Sequence, residues 1–135
     1  MATSGKKVLI ADDEADVLVF VQAALEEDGH EILTATDGEA ALKKARTERP
    51  DLVILDVQMP KKDGFQVFDD LRKGETTRPI PVIMLTAVRQ RTGIPFEGRD
   101  MGQFYGSEPE AFIDKPIDPD TLRDTVNRLL HPNLE

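Results

Sequence analysis

The stretch Leu52-Val53-Ile54-Leu55-Asp56-Val57-Gln58-Met59-Pro60-Lys61-Lys62-Asp63-Gly64 decides how the rest of the chain is read. Four consecutive apolar residues followed by a Pro/Gly-containing turn read as a strand buried on both faces. Asp56 closes that run. Burying a carboxylate there without partners would cost on the order of several kcal/mol, or force protonation. Either the strand ends at Asp56 and the charge is a solvated terminus, or the charge is needed. Acids and a lysine at the ends of other strands favour the second reading.

Working outward, apolar runs alternate with amphipathic stretches. Val8-Leu9-Ile10-Ala11 reads as a first buried strand, ending in Asp12-Asp13-Glu14. Val17, Val21, Ala24 and Leu25 fall at helical spacing, and Gly29 suits the helix C-terminus. Glu31 to Thr36 alternates as a second strand. Asp37 is placed to cap a second helix with Ala41, Leu42 and Ala45 inward and Pro50 just past its end. Val67, Phe68 and Leu71 mark a third helix, and Pro81 to Thr86 a fourth strand. Phe112-Ile113-Asp114 is a short fifth strand. Asp118-Pro119 then opens a last helix with Leu122, Val126 and Leu129 on one face. Strands alternating with helices predict an α/β fold, a parallel sheet covered by helices on both faces.

The interval from Ala87 to Ala111 breaks this rhythm. Gly93, Gly98, Gly102 and Gly106 would each cost a helix about 1 kcal/mol relative to alanine, and Pro95 more. The fourth helix is therefore expected to be short or irregular, with Arg89 to Glu108 forming an irregular or mobile segment of divergent partner surface.

The 135 residues suit one domain, spanning 1–135 with a core of about 6–131. Only His131-Pro132-Asn133-Leu134-Glu135 follow Leu130, so no effector domain is expected. There is no cysteine, which excludes disulfides, thiolate metal sites and cysteine nucleophiles and fits a cytoplasmic location. The four apolar residues Val8 to Ala11 before Asp12 are too few for a signal peptide or membrane span. A net charge of −9 argues against direct nucleic-acid binding by this domain.

In an open parallel α/β sheet, ligands bind beyond the carboxyl ends of the strands, near the topological switch point. Those ends carry Asp12-Asp13-Glu14, Asp56, Thr86-Ala87 and Lys115-Pro116. Carboxylates gathered on one rim repel one another unless a cation intervenes. Mg²⁺, which takes one or two carboxylates with waters and phosphate oxygens, fits Asp12, Asp13 and Asp56. Lys115 supplies a second positive charge and Thr86 a hydroxyl. This set suits the attachment of phosphate to a carboxylate, with Asp56 as the nucleophile.

Taken singly, each residue has a plainer reading. Asp12 and Asp13 suit a helix N-terminus, Thr86 a strand end, Phe112 a core, and Lys115, Lys61 and Lys62 a solvated surface. His30 and His131 stand isolated and receive no role.

Together, in order, the segments Val8 to Glu14, Leu55 to Pro60 with Asp63-Gly64, Leu85-Thr86-Ala87 and Phe112 to Pro116 are highly specific. Over essentially its whole length the chain resembles a response-regulator receiver domain, the phosphoacceptor module of two-component signalling. The resemblance implies a flavodoxin-like five-stranded parallel sheet in the order 2-1-3-4-5. It implies Asp56 as the phosphorylated residue, with Asp12, Asp13 and the Gln58 carbonyl as metal ligands alongside it. Lys115 is implied as the contact to the phosphoryl group, in a cis Lys115–Pro116 context. Thr86 and Phe112 are implied as the switch hydroxyl and switch aromatic. The implied partners are a histidine kinase or phosphotransfer protein and an unnamed downstream protein. The implied role is that of a phosphoacceptor with weak self-dephosphorylation rather than an enzyme. Two rivals stay open: a receiver-like adaptor that is not phosphorylated, and an aspartyl-nucleophile phosphatase. The second would need an acid two residues after the nucleophile, where Gln58 stands. No GxxxxGK[ST] loop follows the first strand, which disfavours nucleotide binding. The chain departs from the family in its long, glycine-rich Thr86–Lys115 interval and in having Glu110 before the fifth strand.

Overall fold

The computed structural model describes residues 6–87 and 109–131. Helices are numbered here among those residues. The chain runs β1 (Lys7–Ala11), α1 (Ala15–Glu26), β2 (Glu31–Ala35), α2 (Gly38–Glu48), β3 (Leu52–Asp56), α3 (Gly64–Lys73), β4 (Val82–Ala87), β5 (Ala111–Lys115) and α4 (Pro119–Leu130). The five strands form one parallel sheet in the order β2-β1-β3-β4-β5. This is the expected architecture. The expected irregular segment Arg89 to Glu108 lies outside the described residues.

Alternation along the strands sorts the core into two layers. Leu9, Ala11, Val53, Leu55, Val82 and Met84 pack with α2 and α3 through Ala41, Leu42, Val67, Phe68 and Leu71. Val8, Ile10, Leu52, Ile54, Ile83, Leu85 and Ile113 pack with α1 and α4 through Leu18, Val21, Leu25, Leu122 and Val126. Both faces are covered, which is why the central strands read as unbroken apolar runs rather than alternating ones.

The helix ends follow local chemistry. Asp37 accepts the Ala40 N–H at 2.8 Å and caps α2. Asp118 accepts the Thr121 N–H at 2.8 Å with Pro119 in the first turn of α4. Asp63 and Gln66 form a reciprocal capping box at the start of α3, a feature the sequence reading passed over although Asp-x-x-Gln is its signature. Past α1, Gly29 adopts φ +87° and its N–H reaches the Glu26 carbonyl at 2.9 Å, reversing the chain into β2.

Several expectations need correction. Leu18 faces the core beside Val21 and Leu25, whereas Val17 and Ala24 are only partly buried. β1 begins at Lys7, β2 stops at Ala35, β4 begins after Pro81, and β5 extends from Ala111 to Lys115. Glu110 explains the longer β5. Its N–H donates to the Val82 carbonyl at 2.9 Å, and its carboxylate accepts the Val82 N–H at 2.8 Å. The same carboxylate takes both Nη2 bonds of Arg72, at 2.7 and 2.9 Å. Arg72 also donates to the Ile80 carbonyl at 2.8 Å and lies 4.6 Å from the Phe68 ring centre. A charged fork therefore ties α3 to the start of both edge-side strands.

Candidate functional site

The same alternation builds the site. Asp12 follows Val8 and Ile10 on the α1/α4 face, Asp56 follows Leu52 and Ile54, and Lys115 follows Ala111 and Ile113. All three therefore leave their strand ends on one face of the sheet. β1 and β3 pair in register from Val8↔Leu52 to Ala11↔Leu55, which sets Asp12 beside Asp56.

Lys115 Nζ lies 3.0 Å from Asp12 Oδ2 and 3.0 Å from Asp56 Oδ1, with Glu14 Oε1 further out at 3.4 Å. Asp12 is fully buried and Asp56 nearly so, whereas Asp13 is exposed at the mouth. Asp12 Oδ1 accepts the Glu14 N–H at 2.9 Å. Its Oδ2 is buried and accepts no well-aligned hydrogen bond, so the Lys115 ammonium acts on it as a charge. The N-cap of α1 is Glu14, without a side-chain cap bond, so neither Asp12 nor Asp13 occupies the capping position of the plainer reading.

Burial pushes the Asp56 carboxyl up from its ordinary 3.8 to about 6; Lys115 pulls it down, and Asp12 and Asp13 push it further up. Burial also raises Asp12, against the Glu14 N–H and the Lys115 charge. Burial opposes the charge on Lys115, but its contacts with Asp12 and Asp56 prevail and hold it above its usual value. One ammonium thus serves several acids, and the carboxylates remain under-compensated.

Oxygen atoms of Asp12, Asp13 and Asp56 all lie within 4.8 Å of one another. Three carboxylates, one of them fully buried and two sharing one ammonium, fit a hard divalent cation. The donor set contains only oxygen.

The loop after Asp56 is held from several sides. Val57 N–H donates to the Leu85 carbonyl at 3.2 Å, Gly64 N–H to the Val57 carbonyl at 2.8 Å, and Gly38 N–H to the Pro60 carbonyl at 3.3 Å. Gly64 is required by contact: a Cβ there would collide with the Asp56 carbonyl oxygen. Gln58 is exposed in this loop. Lys61 takes φ +72°, and the following Lys62 N–H returns to the Pro60 carbonyl at 2.8 Å. Lys62 is not the solvated residue expected, since its ammonium pairs with Asp70 at 2.9 Å. Lys115–Pro116 is cis.

Thr86 is 2% exposed, and its hydroxyl donates to Asp114 Oδ1 at 2.9 Å, across the rung Thr86↔Asp114. The sequence reading passed over Asp114 as an ordinary strand residue. Phe112 is half-buried and packs against the α2/α3 layer. His30 is buried, with Nδ1 accepting the Lys6 N–H at 3.1 Å. Among the described residues no helix is long and apolar enough to cross a membrane.

This geometry agrees with what the chain is similar to. The family model for the response regulator receiver domain matches residues 8–127. The alkaline phosphatase synthesis transcriptional regulatory protein PhoP of Bacillus subtilis is 38% identical over 127 residues, covering 93% of this chain and 48% of that protein. Protein PilH of Pseudomonas aeruginosa is 36% identical, covering 92% of this chain and 97% of that protein. The chain thus spans about half the length of the transcriptional regulators it matches. Among solved structures, the chemotaxis response regulator CheY4 of Vibrio cholerae superposes with a TM-score of 0.79 at 32% identity, covering 94% of this chain and all of that one. A signal receiver domain of a histidine kinase from Syntrophus aciditrophicus gives 0.80 at 30% identity, covering 97% and 94%. The matched parts are response regulators or receiver domains, signalling modules rather than classical enzymes. Sheet order, the acid–lysine cluster and a family match across nearly the whole chain lead to one conclusion: the chain belongs to the response-regulator receiver domains of two-component signalling.

Proposed function

We propose that Asp56 accepts a phosphoryl group from the phosphohistidine of a histidine kinase or phosphotransfer protein, in a Mg²⁺-dependent reaction. The observation that carries this reading is the Lys115 ammonium bridging two buried carboxylates at 3.0 Å each, with Asp13 at the mouth. Near neutral pH a carboxyl lifted to about 6 is largely ionised, so Asp56 is available as a nucleophile. One Asp56 oxygen forms a bond to phosphorus as the phosphorus–nitrogen bond breaks, and the imidazole leaves with that electron pair. Asp12, Asp13 and Asp56, with the Gln58 carbonyl, would hold the cation. When bound, it supplies positive charge to the phosphoryl oxygens. Lys115 contributes a second positive charge from the β5 side and transfers its contact from Asp56 to the incoming phosphoryl oxygens.

The surroundings support a macromolecular donor. A groove of about 530 Å³ beside the site is lined by Glu14, Val17, Phe20, Lys115, Pro116 and Ile117, and Phe20 is 39% exposed. Its apolar wall at the edge of the acid cluster suits a helix that carries the donor histidine. Phosphorylation replaces the single carboxylate charge of Asp56 with a phosphoryl group of about −1.5 to −2, which draws Thr86 and Lys115 and repositions Phe112 and the surface of β4 and β5. The test is incubation with acetyl phosphate and Mg²⁺ followed by intact mass measurement. Gain of one phosphoryl group is expected, lost with EDTA and in Asp56→Asn. Equal labelling of Asp56→Asn would reject the assignment.

A further inference from the structure

We propose that Asp114 is a positioning residue that holds the Thr86 hydroxyl in the unphosphorylated protein and thereby sets how readily the domain switches. The inference rests on Asp56 phosphorylation as proposed above. An ionised carboxylate only accepts hydrogen bonds, so in the 2.9 Å contact the Thr86 proton points at Asp114. A hydroxyl has one proton. It cannot donate to Asp114 and to a phosphoryl oxygen at the same time. Thr86 is 2% exposed, so water scarcely competes for the bond.

The placement of the pair makes the bond an alternative to the site rather than part of it. Thr86 and Asp114 are register partners on β4 and β5, following Met84 and Phe112 on the α2/α3 face. Lys115, the next residue along β5, leaves on the other face toward Asp12 and Asp56. The end of β5 therefore holds two groups in opposite directions: Lys115 reaches the acids and Asp114 retains Thr86. Recruiting Thr86 to phosphorylated Asp56 requires exchange of one anionic acceptor for a more highly charged one. The charge-assisted bond to Asp114 opposes that exchange, and removing it favours the switched state.

The test has two arms. In the unphosphorylated protein, three-bond couplings of isotope-labelled Thr86 report its side-chain rotamer. One rotamer is expected in wild type and averaging in Asp114→Ala; averaging in wild type itself would overturn the inference. In the second arm, beryllofluoride with Mg²⁺ is titrated as a phosphoryl mimic. Asp114→Ala is expected to bind it about tenfold more tightly, and Asp114→Asn, which keeps an oxygen acceptor without charge, about threefold. In a Thr86→Ala background the same Asp114→Ala change should shift affinity less than about twofold, which a merely structural role would not produce. Equal tightening with and without Thr86, or no tightening, overturns the inference. Should Asp114→Ala fail to fold, Asp114→Asn with and without Thr86 decides it. Wild-type protein that binds no mimic at all overturns the phosphorylation reading itself, and the rotamer arm still decides whether Asp114 holds Thr86.

Discussion

Replacing Asp56 with asparagine should stabilise the metal-free protein, by an amount that depends on pH in a defined way. Burial lifts Asp56 from 3.8 to about 6 in the folded chain. The unfolded chain therefore releases this proton at lower pH than the folded chain does. Between those two values the folded state binds more protons, so unfolding free energy falls as pH rises, and above them the whole penalty is present. At about 1.4 kcal/mol per pH unit, the interval is worth about 3 kcal/mol. Asparagine resembles the protonated carboxyl and lacks the penalty. It keeps an oxygen toward Lys115 but gives up part of that attraction, so about 2–3 kcal/mol remains near pH 7.5. For a chain of this size that is roughly 6–10 °C in Tm. The assay is thermal and urea denaturation of both proteins in EDTA from pH 4 to 8. The advantage of Asp56→Asn should be absent near pH 4, grow through pH 5 and level off above about pH 6. Burial lowers His30, so both proteins also lose stability as pH drops below its ordinary 6.5; this contribution cancels in the difference. Saturating Mg²⁺ should shrink the difference by stabilising wild type. A difference that is independent of pH, or wild type more stable at pH 7.5, would refute the claim that the site holds an under-compensated buried charge.

Asp13→Ala should weaken Mg²⁺ binding, measured by calorimetry, roughly tenfold or more, with little change in metal-free stability because Asp13 is exposed. Gly64→Ala should destabilise the fold by about 1–3 kcal/mol in urea, because the added methyl meets the rigid Asp56 carbonyl; an unchanged midpoint would contradict the close approach. Glu110→Ala should cost about 2 kcal/mol, since it strands the Arg72 fork and the Val82 N–H together, and Glu110→Gln should recover part of it.

Much of the fold was legible because each local signal agreed with the next. Both faces of β3 are buried, so Leu52 to Leu55 could only be uniformly apolar, and Asp37 and Asp118 announce their helices by chemistry that acts within three residues. The misread boundaries share another origin. β5 begins at Ala111 because Glu110 bonds to Val82, 28 residues away, and to Arg72, 38 residues away. Leu18 was overlooked because Val17 and Ala24 mark a face displaced by about one residue from the buried Leu18, Val21 and Leu25.

The site divides along the same line. Sequence alone determined which groups stand at strand ends, because a charge closing an apolar run is visible in one dimension: Asp12, Asp56 and Lys115 were nameable before any coordinates. It also set three acids on one rim, where a cation is the expectation. Only the tertiary structure decided that one ammonium lies 3.0 Å from two of those acids, that Asp13 stays at the mouth, and that Thr86 bonds across the sheet to Asp114. The physical reason is register. Which residue of β4 faces which residue of β5 depends on how two distant strands dock, and hydrogen-bond partners and pKa shifts follow from distances that no local pattern encodes.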